Sequence, residues 1–303
     1  MITKRQFARG LAALPALAAV PVGARPARAS ADIPDRLTEA FARVEETSGG
    51  RLGVALFDSE TGMQTGHRAD ERFPMCSTSK LLAAAAILKR IDTGKLHYDK
   101  RIRFEASDLV TYSPVTQQRV GGDGMTILAL CEAALTVSDN TAANLLLAEL
   151  GGPAAVTNFA RSLGDLVTRL DRIEPDLNEA QPGDPRDTTS PLAIASNLRA
   201  ITRAGILNDI SAGRLVAWLL ANQTGVARLR AGLPSNWRGG DKTGSGGNGT
   251  TNDVGIFWPP GRSPIYLSAY LTETSAPAAE REATLAAVAR AVADIMTAGS
   301  QEP

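Results

Sequence analysis

The sequence predicts an α+β fold, with an antiparallel sheet of about five strands built from both chain ends, flanked by helices, and an all-α domain inserted between its halves. Three observations predict it. Short apolar runs bounded by turn residues lie at both ends, the centre from Pro74 to about Asn222 carries helical patterning broken by Gly, Pro and Asp loops, and a helical segment closes the chain. With 303 residues, 44% of them hydrophobic, the chain can bury a substantial core as one large domain or two.

The elements follow in order. Lys4, Arg5 and Arg9 precede an apolar run from Gly10 to Val22, and Ala27-Arg28-Ala29 supplies a small-residue cleavage site. Residues 1 to 29, or to 31 if cleavage falls after Ala31, therefore read as an export signal, and Thr3-Lys4-Arg5-Gln6-Phe7 resembles a twin-arginine leader with Lys in the first position. The apolar run is too short to span a bilayer, which takes about 20 residues. Pro34 to Ser48 is predicted helical, with Leu37, Phe41 and Val44 on one face. A strand at Leu52 to Phe57, turn chemistry from Asp58 to Gly62 and a second strand near Gln64 to Ala69 come next. After the helical centre, strands are expected at Asp241 to Ser245, Thr251 to Trp258 and Ile265 to Thr272, an antiparallel meander with Gly and Pro turns, and then a helix from Glu280 to Ala298. Residues 32–72 and 222–300 would form a discontinuous α/β domain and 73–221 the all-α domain.

Chemistry concentrates in three short motifs. Ser77-Thr78-Ser79-Lys80 sets a hydroxyl and an amine one helical turn apart at the start of an Ala/Leu-rich helix, so Lys80 can stand beside the Ser77 oxygen. A serine attacks only when a neighbour takes its proton, and a helix N-terminus favours developing negative charge. Ser138-Asp139-Asn140 lies between the apolar run Ile127 to Leu135 and a helical segment from Thr141 to Leu150, and Lys242-Thr243-Gly244 precedes a strand. Taken alone, Ser77 and Ser79 would be helix caps and Lys80 a solvated charge. The three motifs together point to acyl transfer. Gly244-Ser245-Gly246-Gly247-Asn248-Gly249 matches a dinucleotide fingerprint formally, but a strand rather than a helix follows, so it reads as a glycine-rich turn. His67 and His97, the 2 histidines, lie in no motif and read as surface residues, which excludes a Ser-His-Asp relay. No His/Cys/Asp grouping has metal-ligand spacing, so neither a metal nor another cofactor is expected.

On these three motifs, and over the chain after the leader, the sequence resembles the class A serine β-lactamases. A fourth element carries the resemblance further: Arg169-Leu170-Asp171-Arg172-Ile173-Glu174-Pro175-Asp176-Leu177-Asn178 matches the loop of that family with its Glu and Asn, which penicillin-binding peptidases lack. The resemblance implies the same two-part architecture, with the active site in the cleft between the parts. It implies Ser77 as nucleophile, with Lys80, or Glu174 through a water, as its base. The oxyanion hole would be the N–H groups of Ser77 and Ser245, Ser138 the proton donor to the leaving nitrogen with Lys242 beside it, and Glu174 with Asn178 the holders of the hydrolytic water. Lys242, Thr243, Gly244, Ser245 and Arg228 would bind the substrate carboxylate, Asn140 its amide, and Tyr112 would flank the cleft. Arg172 and Asp187 would close the Glu174 loop by a salt bridge, and Pro182 and Pro185 would lower the entropy lost in ordering it.

In many relatives the position of Cys131 is bridged to that of Ala84, and in some carbapenem-hydrolysing relatives that of Cys76 to that of Gly246. Both partners are absent here, so two free thiols are expected, behaving as small buried hydrophobes. Loss of residues 1 to 29 removes five basic side chains and no acids, taking 32 basic against 32 acidic groups to 27 against 32, a net −5. Nucleic acid is not an expected partner. The expectation is an exported monomeric hydrolase, periplasmic or secreted, acting on small-molecule β-lactams with no membrane association once mature. The alternatives are a penicillin-binding D,D-peptidase, against which Glu174 and Asn178 argue, and a non-catalytic lactam sensor, which would need a signalling segment.

Overall fold

The computed structural model describes residues 32–203 and 205–298; the leader assigned from sequence lies outside them. Helix α1 (Ile33–Ser48) begins with a proline in its first turn, where the missing N–H costs nothing, and stops at Gly49, whose φ of +65° needs a residue without Cβ. It buries Leu37, Ala40 and Phe41. Strand β1 (Arg51–Asp58) pairs antiparallel with β2 (Gln64–His67) on one side and with the distant β9 (Ile265–Thr272) on the other, Arg51 facing Thr272 and Asp58 facing Ile265. β7 (Arg238–Ser245) and β8 (Thr251–Trp258) complete a five-stranded sheet in the order β2-β1-β9-β8-β7. Both chain ends thus build one sheet, as the pattern of the sequence predicts.

The sheet is buried on both faces. Leu52, Val54 and Leu56 join Leu37, Phe41, Leu267, Leu271, Leu285 and Val288 in a core under α1 and the last helix, α9 (Ala278–Ala298), which packs on α1. A second, larger core runs from the other face of the sheet, through Val254, Ile256, Tyr266 and Tyr270, into the helices α2 (Ser79–Asp92), α3 (Ile127–Thr136), α4 (Asn140–Leu150), α5 (Ala154–Ser162), α6 (Pro191–Thr202) and α7 (Asp209–Leu220). Every residue of α2 from Ser79 to Leu88 is buried, and a helix enclosed on all sides is a core element rather than an amphipathic surface one. Short strand pairs, β3 (Phe73–Pro74) with β6 (Thr188–Thr189) and β4 (Arg101–Ile102) with β5 (Met125–Thr126), tie the loops down, and the one-turn α8 (Leu229–Gly232) precedes β7.

Several details differ from the sequence reading, among them the end of β2 at His67 rather than Ala69. β7 starts at Arg238, three residues before the expected Asp241. Gly239 and Gly240, which punctuate the sequence like a loop, are strand residues that must be glycine: a Cβ would stand 2.5 Å from the Phe257 ring at the first and 2.8 Å from the Leu220 nitrogen at the second. α9 starts at Ala278 rather than Glu280. His67 is not a free surface residue, because its Nε2 lies 2.7 Å from the Glu45 carboxylate and ties β2 to α1, whereas His97 is exposed as expected.

Candidate active site

Ser77 sits in a 3₁₀ turn (Cys76–Thr78) that runs into α2, and the turn places its hydroxyl over the first residues of the helix. Lys80 Nζ donates to Ser77 Oγ at 2.9 Å, to Ser138 O at 2.9 Å and to Asn140 Oδ1 at 2.6 Å. Glu174 Oε1 lies 3.0 Å from the same ammonium and accepts from Ser77 Oγ at 3.3 Å. Both members of this pair are buried. Burial pushes the Lys80 amine down from its ordinary value, opposed by the Glu174 carboxylate and, more weakly, Asp139.

Ser138 and Asn140 reach the site because Asp139 between them is a helix cap and loop anchor. Its carboxylate accepts from Ala142 N at 2.8 Å to start α4, and from Val115 N and Thr116 N at 2.9 Å each. Asn140 Nδ2 donates to Thr111 O at 2.8 Å, and Asn140 N to Tyr112 O at 3.0 Å, which holds the Tyr112 segment on one wall. Lys242 Nζ donates to Ser138 Oγ at 3.1 Å from the other side. Its pKa lies well below the ordinary lysine range, through burial first and then through repulsion by Lys80 and Arg228. Cys76, Tyr112 and Ser138, all around Ser77, have positive φ values of 49°, 65° and 62°. Such strain in non-glycine residues persists where neighbouring contacts over-determine the backbone.

The Glu174 loop is fixed from both ends. Arg172 Nε donates to Asp187 Oδ2 at 2.6 Å, while Asp187 Oδ1 accepts from the backbone of Asp171 and Arg172 at 2.8 and 2.9 Å. Asn178 Nδ2 donates to Glu174 Oε2, and Asn178 Oδ1 is buried with no partner among the described residues. Asn144, which the motifs did not mark, brackets Glu174: its Oδ1 accepts from Glu174 N and its Nδ2 donates to Glu174 O, both at 2.9 Å. One polar residue inside a helical run carries no sequence signal for that role.

A cleft of about 330 Å³ opens above these groups, a size that suits a small molecule. Ser77, Tyr112, Ser138, Asn140, Asn178, Arg228, Thr243, Gly244 and Ser245 line it, and Lys80, Glu174 and Lys242 lie beneath. Thr224 also lines it, its hydroxyl 2.5 Å from that of Thr243, a residue the sequence reading missed. Arg228 is buried behind Ser245: Nη2 donates to Ser245 Oγ at 2.7 Å, Nη1 to Gly244 O and Asn252 O at 2.8 Å, and Nε pairs with Glu282 at 3.4 Å. Tyr112 is 58% exposed at the rim. Cys76 and Cys131 are buried and unbridged.

Residues 36–296 match the model of the β-lactamase enzyme family. The chain is 52% identical over 254 residues to β-lactamase CTX-M-8 of Citrobacter amalonaticus, covering 84% of this chain and 87% of that protein. It is 53% identical over 254 residues to CTX-M-25 of Escherichia coli, with the same coverage. Among solved structures, a reconstructed ancestral class A β-lactamase superposes with a TM-score of 0.84 at 60% identity, over 85% of this chain and 99% of that one. A putative class A β-lactamase from Rhodopseudomonas palustris does so with 0.84 at 55% identity, over 85% and 98%. Set beside the Ser77 cluster and the antiparallel sheet that frames it, these likenesses mean that the chain belongs to the β-lactamase enzyme family, among its class A members.

Proposed function

We propose that the protein hydrolyses the β-lactam ring of penicillins and cephalosporins through an ester on Ser77, and so confers resistance to them. The observation that carries this is the contact of one hydroxyl with a carboxylate and an amine that are themselves paired: Ser77 Oγ donates to Glu174 Oε1 at 3.3 Å and accepts from Lys80 Nζ at 2.9 Å, with Asn178 donating to the far oxygen of the same carboxylate. Both distances are within reach of proton transfer, directly or through one water. Ser77 Oγ attacks the lactam carbonyl as its proton passes to Glu174 through a water, or to Lys80 once the Lys80 ammonium has given a proton to Glu174 Oε1, 3.0 Å away. The N–H groups of Ser77 and Ser245 receive the charge on the carbonyl oxygen; one such donor supplies about 3 to 4 kcal/mol of barrier stabilisation. Ser138, within hydrogen-bond reach of both lysines, hands its hydroxyl proton to the lactam nitrogen as the C–N bond breaks. It recovers one from Lys80, which takes its own back from Glu174, so that Glu174 is left as the carboxylate.

The second half-reaction belongs to the loop. Glu174 and Asn178 Oδ1, which has no partner among the described residues, hold a water; the carboxylate takes its proton as it attacks the ester carbonyl and then returns it to Ser77 Oγ as the C–O bond breaks. Arg228, on the cleft wall behind Ser245, supports the substrate carboxylate through Ser245 Oγ and adds positive potential beside Lys242 and Thr243. Residues 32–72 with 222–300 and residues 73–221 are proposed as the α/β and all-α parts, and the mature protein as an exported monomer. No described helix is long and apolar enough to cross a membrane.

Nitrocefin at a thousandfold excess over enzyme tests the reading. Sustained colour development at catalytic enzyme concentration is expected. A single stoichiometric burst would mark a penicillin-binding peptidase instead, and binding without colour a sensor.

A further inference from the structure

The fully buried Asn252 side chain, on β8, reaches across to the segment that leads into the nucleophile. Its Nδ2 donates to Pro74 O at 2.8 Å and to Met75 O at 3.1 Å, the two carbonyls just ahead of Cys76 and Ser77. Three features show that the contact is built in. Asn252 faces Gly244 of the Lys-Thr-Gly strand in register, and a Cβ on Gly244 would stand 2.7 Å from Met75 O and 3.2 Å from Asn252 Nδ2, so the glycine opens the path. Asn252 Oδ1 stays buried with no partner among the described residues, a cost accepted while the amide donor is kept. Met75 O also accepts from Thr78 Oγ1 at 2.8 Å, so the carbonyl is a node holding the strained Cys76 turn.

The backbone of the same residue faces the other half of the site. Asn252 O accepts from Arg228 Nη1, whose Nη2 bonds Ser245 Oγ. We infer that Asn252 is a positioning residue for acylation, locking the turn that carries Ser77 to the strand that carries Lys242 to Ser245; this rests on the hydrolytic reading above. Acylation needs Ser77 Oγ set against both its base and the substrate held on β7, whereas the water of deacylation is held by Glu174 and Asn178, which Asn252 does not touch. A displacement of about 1 Å at a reacting atom lowers a rate by about 10²-fold.

The test is stopped-flow acylation and single-turnover deacylation with nitrocefin and benzylpenicillin on Asn252→Leu, which has a similar volume and no donor, and Asn252→Asp, which replaces the two-proton amide with a carboxyl group carrying at most one. Acylation should fall by about 10²-fold while deacylation stays within a few fold, with circular dichroism unchanged. A residue of purely structural importance would lower the melting temperature and leave the ratio of the two steps as in the wild type, and that outcome overturns the inference. So does failure of both variants, and of the milder Asn252→Ser, to fold. A wild-type protein that acylates but never turns over would instead overturn the hydrolytic reading.

Discussion

Lys80 and Lys242 are both buried within reach of Ser138 Oγ, 3.2 and 3.1 Å away, yet their surroundings differ in one respect that fixes their chemistry. Lys80 faces the Glu174 carboxylate at 3.0 Å, whereas the largest influences on Lys242 after burial are two cations, Lys80 and Arg228. In the proposed reaction the carboxylate is the group that serves a water on the ester after Ser77 has lost its proton. Glu174→Ala should still form the acyl-enzyme, visible by mass spectrometry as a drug adduct, while deacylation falls by about 10²- to 10⁴-fold, the contribution of one general base. Unchanged multiple turnover would remove Glu174 from that role. For Lys242 the consequence is one of stability. Its folded pKa lies well below the ordinary 10.5, so the native state is penalised while the group is protonated, and the penalty lifts as pH rises through the folded value towards the unfolded one. Lys242→Met removes it. The variant should melt higher than the wild type at neutral pH, with an advantage that narrows as pH approaches about 10, while losing hydrolysis; thermal melts across that range, with both proteins side by side, check the sign.

At the scale of elements, the Glu174 loop is the part of the site that owes least to regular structure. Its order comes from Asp187, 1% exposed, which accepts two backbone N–H groups and the Arg172 guanidinium together. Asp187→Ala leaves all three donors without their acceptor, a loss of roughly 2–4 kcal/mol that falls on the loop rather than on the helices. Hydrogen exchange should accelerate over residues 169–187 with α2 and α3 unaffected, and deacylation should slow more than acylation. The loop was legible in the sequence only through resemblance: Arg169 to Asn178 and Asp187 match the loop of a known family, whereas the same charges taken alone describe an ordinary surface loop. The strands Thr251–Trp258 and Ile265–Thr272, bounded by turns, and the lysine one turn after the serine were legible directly. What escaped were residues whose roles depend on long-range packing. Gly239 and Gly240 imitate a loop because the atoms that forbid a side chain there belong to Phe257 and α7, far away in the chain. Asn144 and Asn252 are ordinary polar residues until the fold brings Glu174 and Met75 to them, and His67 is a surface histidine until α1 presents Glu45.

Over the whole molecule, stability is distributed unevenly, and the two cysteines report on it from different places. Cys131 lies inside the helical core with Leu130, Leu135 and Leu146, so reaching it requires that core to come apart. Cys76 is equally buried but covered by the site itself: a Cβ on Gly246 would stand 2.6 Å from its sulfur and 2.6 Å from Asn178 O, so the β7–β8 turn and the Glu174 loop close over it. Burial also raises both thiols above their ordinary pKa, which suppresses the reactive thiolate further in the closed protein. Segments held by a few polar contacts open at lower free energy than packed helices. A disulfide reagent such as Ellman's should therefore label the native protein in two phases, Cys76 through loop opening and Cys131 through global unfolding, with two thiols titrating in denaturant without reductant. Asp187→Ala should quicken the first phase by ten-fold or more and the second by much less, because loop opening no longer has to break the Asp187 contacts. Equal acceleration of both phases would show that loop and core unfold as one unit, and fewer than two thiols in denaturant would mean that one is already oxidised.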